Sequence, residues 1–493
     1  MGRLVLRVVT AVAGVLAAFT YLTNPFTRLT IVRPTFRANV TAGGTSVSDH
    51  NDRLVVRRGP LWRALALVAC GLDVLGSRYL GSPRSPSATV DGVVADVHRL
   101  RFDPDRLLLV SGENFPALFV RNLGVFYYPV LDRAIPGPDW RARETVYLQT
   151  VGLALGAFDR HELTTTVVPV GRRSVACVNI YAYPSDTLYG ILFALAALRG
   201  DEPARPAPYG DDVHRLDTRA AAEELLQRYG SRLTHHYRTY RAAVLDERTG
   251  LVTTRRHLSG AKDITRRRSA LYDNVVLWKT ARLAAGLGLV DHDEELDHAL
   301  RERILQRFWL PAEGHFLEDL SPEALTRRYY SSDWLIVLST GFLDPADPRD
   351  RPYYERAVQH VRVTGVAEPF AIRYQRETRA ARQFPVVRLA VPSYGGDAIW
   401  SFWGMEYVKV LVLLHRATGD PGHLEEAGRH LAAYEAAMVE NGGFPEVYDA
   451  DGAMLTTALY RSIRQTGWVI GFEQAREMYR AARRSAAPAG PPP

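Results

Sequence analysis

Two acids are set among aromatic side chains in a way that suits proton transfer. Asp273, in RRRSALYDNVVLWK, is flanked by Tyr272 and Asn274, is followed by Trp278, and lies where a basic polar stretch turns apolar. Glu446, in GGFPEVYDADGAML, has Phe444 two residues before it and Tyr448 two after. Aromatic surroundings desolvate a carboxyl group and raise its pKa, which fits a general acid; they also give a sugar ring a flat face to stack on. Two such acids opening on one cleft are the equipment of glycoside hydrolysis. One protonates the leaving oxygen, and the other activates water or attacks. A plainer role is open to each: Asp273 as the N-cap of the helix that follows, Glu446 as a solvated acid in a turn.

Other chemistries lack their residues. The chain has no G-x-x-x-x-G-K-[ST] loop, no strand-linked G-x-G-x-x-G, no H-E-x-x-H and no G-x-S-x-G. Its histidines are scattered, and His235-His236 reads as a solvated helix face. The two cysteines, Cys70 and Cys177, have no metal-type spacing and make no disulfide framework. No metal and no cofactor is expected. Ahead of Asp273, Arg255, Arg256, Lys262, Arg266, Arg267 and Arg268 crowd one stretch. They read as a solvated loop, or as one or two guanidiniums meeting a carboxylate or phosphate on the substrate.

The elements that must position these acids are mostly helical. Apolar positions recur at three- and four-residue spacing over 141–158, 185–200, 218–245, 273–289, 293–309, 331–343, 397–419, 423–442 and 465–483, with Gly/Pro turns between. The alternating stretch LTTTVVPVGRRSVACVNIYAY (163–183) predicts a β-hairpin turning at Gly171-Arg172-Arg173. DAIWSFWGMEYVKVLVLL, apolar on most faces, fits an inner helix; HLEEAGRHLAAYEAAM, with a charged face, fits an outer one. Inner and outer helices alternating in hairpins make an all-α, (α/α)6-type toroid, here with one small inserted β-hairpin.

The 493 residues are 47% hydrophobic and 23% charged, enough for a large core and one main domain with an appendage. A net charge of +7 is too dilute for nucleic acid, and no basic run is interleaved with aromatics. The stretch LVLRVVTAVAGVLAAFTYL (4–22) is close to the ~20 apolar residues of a bilayer span. It predicts an N-terminal membrane helix within 1–27, with a signal peptide or a soluble hydrophobic helix as rivals. A basic juxtamembrane region follows over 28–100, with a second apolar stretch (61–76) and a linker, SPRSPSATVDG (82–92). The catalytic domain is expected over 101–485, and the tail 486–493 is expected to be disordered. The reading is a membrane-anchored protein of unassigned face, with a cytoplasmic protein as the alternative.

Several of these segments, in this order, resemble the six-hairpin (α/α)6 glycosidases, closest to glycoside hydrolase family 63 and its trehalase relatives. SALYDN (269–274) is similar to the family's acid-bearing motif. ILQRFWLPAEGHFLEDL (304–320) resembles its "fW-x-x-x-x-G-x-f-x-D" passage. SYGGDAIWSFWGMEYVKVLVLL (393–414) looks like its R-G-P-I-W helix, and GGFPEVYDADGAML like its F-x-E-x-Y base motif. The resemblance covers roughly residues 111–480. It implies Asp273 as general acid and Glu446 as general base of an inverting hydrolysis on a carbohydrate, the carboxyls about 6.5–9.5 Å apart. It also implies Tyr272, Asn274, Tyr394, Asp397, Trp400, Trp403, Tyr448 and Trp468 around the sugar. Arg121 and Asn122 stand where relatives carry W-x-W-D or R-D-F, with Asn in place of Asp. Gly395-Gly396-Asp397 replaces the Arg of R-G-P-I-W. These departures imply a sugar different from the glucosides and mannosides that relatives cleave; the anionic group is an option raised by the basic stretch before Asp273. A sugar epimerase or lyase on the same toroid and a glycan-binding protein without activity are the alternatives. Epimerases on this scaffold lean on histidines, and His315 is the only one near the candidate segments.

Overall fold

The computed structural model describes residues 28–33, 39–41, 44–46, 55–57, 83–103, 108–112, 117–125, 151–158, 162–170, 174–179, 185–200, 219–256, 258, 265–377 and 382–486. The apolar stretches 4–22 and 61–76, the first part of the helix expected over 141–158, Cys70, Lys262 and the tail 487–493 lie outside the described residues. Among the described residues no helix is long and apolar enough to cross a membrane.

The helices fall into two kinds, set by how far their apolar character reaches around the axis. Helix α1 (Val90–Arg101) precedes α2 (Ser185–Arg199) and α3 (Arg219–Val244). Then come α4 (Leu271–Gly286), α5 (Glu294–Phe308) and α6 (Arg351–Thr364). The last are α7 (Ser401–Thr418), α8 (Pro421–Asn441) and α9 (Val469–Ala486). In α4 every residue from Leu271 to Thr280 is buried, and in α7 every residue from Ser401 to Val412. Over these stretches the helices have no solvent face. In α5 only Leu300, Ile304 and Phe308 are buried, one stripe at four-residue spacing. The buried residues of α6 and α8 likewise follow one face. Inner α2 packs on inner α4, and each of α2, α4 and α7 packs on its following outer helix, α3, α5 and α8. The alternation of inner and outer helices expected of an all-α toroid is therefore present.

The two ends of this helical circuit meet. Ser85 N–H donates to the Gly442 carbonyl at 2.8 Å, and Gly467 N–H to the Ser111 carbonyl at 3.0 Å. His98 pairs with Glu473 at 2.7 Å, and Arg476 with Asp91 at 2.6 Å, tying α1 to α9. The segment expected to be a linker is thus anchored from Ser85 onward, and α1 begins within it.

The β-structure is larger than one hairpin. Strands β1 (Arg28–Arg33), β2 (Val55–Arg57), β3 (Leu118–Phe119), β4 (Thr166–Val170) and β5 (Ser174–Asn179) form one antiparallel sheet in the order β2-β1-β5-β4-β3. The expected hairpin is β4–β5, with Val170 opposite Ser174, so that the predicted turn residues connect the strands. Cys177 is buried in β5, its thiol pushed up to about 12 by burial, which removes it as a nucleophile.

At Gly404, α7 lies close to α8 and to the 371 loop. A Cβ there would overlap the Ala371 carbonyl and the Tyr434 hydroxyl, which are hydrogen-bonded to each other. Gly404→Ala is expected to cost about 1–3 kcal/mol by overpacking, read as a lower urea midpoint with an unchanged m-value.

Candidate active site

Glu446 sits at the head of inner helix α7. A two-stranded ladder, β6 (Ile399–Trp400) against β7 (Val447–Tyr448), sets Trp400 opposite Val447. Ser401, the first residue of α7, donates from its N–H at 3.1 Å and its hydroxyl at 2.9 Å to the Glu446 carbonyl. The Glu446 N–H donates to the Ile463 carbonyl at 2.8 Å. With its backbone pinned on both sides, the half-buried carboxylate meets two phenols. Tyr394 donates to Oε1 and Tyr460 to Oε2, each at 3.4 Å.

An aromatic wall continues from those phenols. Tyr394 and Tyr460 meet edge to face with ring centroids 5.3 Å apart. Tyr394 lies 4.9 Å from Trp400, which lies 5.6 Å from Trp468 at an interplanar angle of 30°. The Trp400 indole N–H donates to the Tyr394 carbonyl at 2.7 Å, which fixes that ring. Asp397 is half-buried in the turn that carries Tyr394 into β6.

Asp273 stands in the first turn of α4 and keeps 3% of its surface. It is not the N-cap: Ala270 occupies that position and gives no side-chain cap. Asn274 fastens the turn, its amide donating to the Ser269 hydroxyl at 3.1 Å and the Ala270 carbonyl at 2.8 Å. Its carbonyl oxygen accepts from Val252 N–H at 2.8 Å. Ser269 holds φ at +50°, a left-handed conformation that this bonding offsets.

A buried polar cluster adjoins Asp273. Arg267 Nη1 reaches Asp333 Oδ2 at 2.5 Å, both side chains 1% exposed. Burial opposes the Arg267 charge, but Asp333, Tyr374, Asp273 and Glu318 around it raise its pKa above the usual value. Tyr374 donates its hydroxyl to the same Asp333 oxygen at 3.2 Å and lays its ring 4.8 Å from Trp400. One continuous path thus links the field around Asp273 to the wall around Glu446. Below it Glu318 accepts from Gln375 and from Arg382 at 2.8 Å each, and Arg382 also reaches Asp319 at 2.9 Å. Of the basic stretch, Arg267 is therefore an internal ion-pair partner, not a solvated arm.

Several expected sugar contacts belong to the core instead. Trp403 is 1% exposed against Phe402, and Tyr448 is fully buried against Phe370 and Tyr434. Tyr272 is fully buried with its hydroxyl 3.2 Å from Asp186, and burial raises its pKa well above the ordinary phenol value. Asn274 spends its amide on the turn described above. Asn122 is buried and donates to the Ser111 hydroxyl at 3.1 Å. Arg121 lies over the Phe119 ring at 4.8 Å and 3.9 Å from Asp186, a structural ion pair beside Tyr272. Glu446, Tyr394, Trp400 and Trp468 are brought together; Tyr460, Tyr374, Asp333 and Asp186 were not anticipated. The Tyr460 neighbourhood carried one signal, an aromatic fourteen residues after the acid in a Ser/Thr-rich loop, too common to single out.

His315 is buried, 4.4 Å ring to ring from His360 of α6, with Nδ1 2.9 Å from the Phe316 carbonyl. Burial pushes both imidazoles down to about 4, so both are neutral at pH 7. Among the described residues no group of three or more His, Cys, Asp or Glu could hold a metal ion.

No protein-family model matches the chain, and no curated protein sequence matches it. Solved structures do. A rhamnosidase from Klebsiella oxytoca with rhamnose bound matches with TM-score 0.49 and 14% identity, over 82% of this chain and 66% of that one. Cellobiose 2-epimerase from Spirochaeta thermophila matches with TM-score 0.46 and 13% identity, over 87% and 99%. The GH63 mannosylglycerate hydrolase from Thermus thermophilus, with Tris and D-glycerate, matches with TM-score 0.45 and 14% identity, over 78% and 99%. A GH63 enzyme, of the family that the motifs resemble, is thus among them. Likenesses this distant carry no weight for activity.

Removing one partner of a buried ion pair leaves the other uncompensated, which costs about 3–5 kcal/mol. Arg267→Met should lose that much in chemical denaturation. The double substitution Arg267→Met with Asp333→Leu should recover most of it.

Proposed function

We propose that the chain is a sugar-processing enzyme, and within that class an inverting glycoside hydrolase with Asp273 as general acid and Glu446 as general base. The observation that carries the reading is the setting of Glu446: a half-buried carboxylate, each oxygen facing a phenol, beside a wall of Tyr394, Trp400 and Trp468. A base that must hold a water needs a fixed carboxylate with a lone pair toward the ligand; a sugar needs ring faces. The carboxylate and Trp400 come from the ladder at the head of α7, Tyr394 from the turn before it and Trp468 from the residue before α9. The acid role is given to Asp273 by its place in the SALYDN motif, at the first turn of α4. Arg267, Asp333 and Tyr374 connect the surroundings of Asp273 to Trp400 through buried contacts.

A sugar epimerase is the second reading. It needs a base that is neutral at working pH, and His315 and His360 meet that condition. They contact each other and Tyr330, whereas Glu446 contacts Tyr394 and Tyr460.

Proton NMR of the anomeric region during digestion of an oligosaccharide panel distinguishes the two. Hydrolysis releases a new reducing end of inverted configuration; epimerisation changes one ring carbon and leaves the chain length unaltered. Asp273→Asn and Glu446→Gln should each lower kcat by roughly 10²–10⁴. Full activity in either variant contradicts its role.

The two phenols give a finer expectation. A hydrogen bond to a carboxylate favours its charged form. Without the Tyr460 hydroxyl, the acid limb of the kcat/KM profile should move to higher pH. Tyr460→Phe, assayed from acid to neutral pH, reads this directly; an unshifted limb removes Tyr460 from the account.

A further inference from the structure

We infer that His315 and His360 form an acid-sensitive latch, which holds a β-hairpin against α6 while both rings are neutral and frees it when they take up protons. The inference is independent of the hydrolase reading. The hairpin pairs Trp309–Leu310 with His315–Phe316. It packs on α6 through Trp309 and Phe316, whose rings lie 5.0 and 6.1 Å from that of Tyr353. The two imidazoles extend this contact, 4.4 Å apart, one from the hairpin and one from α6. Tyr330 stacks on His360 at 5.3 Å and meets His315 edge-on at 5.8 Å.

Each ring is fixed through one nitrogen. His315 Nδ1 lies 2.9 Å from the Phe316 carbonyl and His360 Nδ1 2.9 Å from the Glu313 carbonyl, so both rings carry their proton on Nδ1. The next proton must go to Nε2. On His360 that atom is buried and meets no acceptor. The neighbouring charges oppose it as well: His315 feels His360 and Arg376, and His360 feels Arg376. Arg356, on α6, donates to the Pro311 carbonyl of the hairpin at 3.0 Å, and Glu313, the acid of its turn, is paired with Arg328. A buried cationic N–H without an acceptor is costly, and parting the hairpin from the helix lets water satisfy it. Burial holds both imidazoles down to about 4, below the ordinary 6.5. The latch is therefore intact above pH 6.5 and weakens steadily as the pH falls toward 4.

The residues after the hairpin give the latch its reach. Leu317 bridges to Tyr330, and the Glu318 N–H donates to the Tyr329 carbonyl at 2.9 Å. The Glu318 carbonyl accepts at 3.0 Å from the N–H of Leu271, the first residue of α4. Leu320 N–H donates to the Arg268 carbonyl at 2.9 Å, and Asp319 bridges to Ala270. The segment that leaves His315 thus closes the N-terminal end of α4, where Asp273 stands in the first turn. Freeing the hairpin removes the anchor of that segment and loosens the turn.

The test is hydrogen exchange of the full chain, read by mass spectrometry as protection factors at pH 7 and pH 5. Peptides from 309–320 and from α6 should lose roughly 10²-fold in protection between the two, the effect of two rings regaining their ordinary proton affinity on opening. Peptides from α7 should change by less than about threefold. The double variant H315F/H360F keeps two rings in the cluster and cannot take up the protons; its protection should be the same at both pH values. His360→Gln, which keeps an N–H donor for the Glu313 carbonyl, should retain about a tenfold loss. Should the double variant fail to fold, His360→Gln alone decides. Protection over 309–320 that is equal at pH 7 and pH 5 in the unmodified chain overturns the inference. So does a loss shared by α7, or the full loss persisting in the variants.

Discussion

An arginine and an aspartate with no access to water, Arg267 and Asp333, hold the middle of this fold. Each charge alone would be costly to bury, and the pair is tolerable only because its geometry is tight and Tyr374 shares the same oxygen. The three residues come from three separate places: the stretch before α4, the turn at 332–335, and the loop that leads toward β6. Once they are paired, the start of α4 and the ladder that carries Glu446 stand at fixed places around one internal charge. Asp273 feels Arg267 from one side and Trp400 rests on Tyr374 from the other. The two candidate acids are consequences of this constraint more than its authors.

The division into inner and outer helices serves the same end. Inner helices α4 and α7 are buried all round in their N-terminal stretches, so polar groups there must be satisfied by neighbours. Ser401 is satisfied by the Glu446 backbone, and Asn274 by the turns before and beside α4. The candidate carboxylates occur where those helices begin, Asp273 in the first turn of α4 and Glu446 beside the ladder at the head of α7.

Much of this was legible in the letters and some was not. The long helices and the β4–β5 hairpin follow from periodicity, which is local. The expected helix over 397–419 begins with the strand Ile399–Trp400 because its partner, Val447–Tyr448, lies far along the chain. The wider sheet was hidden for the same reason: β1 pairs with β5 across most of the first two hundred residues. Helix α1 was concealed by the Ser/Pro-rich run before it. Among the aromatics, Trp400 and Trp403 are three residues apart, yet one reaches the wall and the other the core. Residue type cannot separate stacking on a sugar from packing on a helix. Arg267 was visible only as one of several basic residues, since its distinction is the buried aspartate it meets.

A crystal structure of the Glu446→Gln variant soaked with a cleavable oligosaccharide tests the central claim most directly. The account predicts a sugar ring against Trp400 and Tyr394, with residues 273 and 446 on opposite sides of the scissile bond and their side-chain carboxyl and amide carbons about 6.5–9.5 Å apart. A ligand bound elsewhere, or residue 273 walled off from the ring by packed side chains, would contradict it.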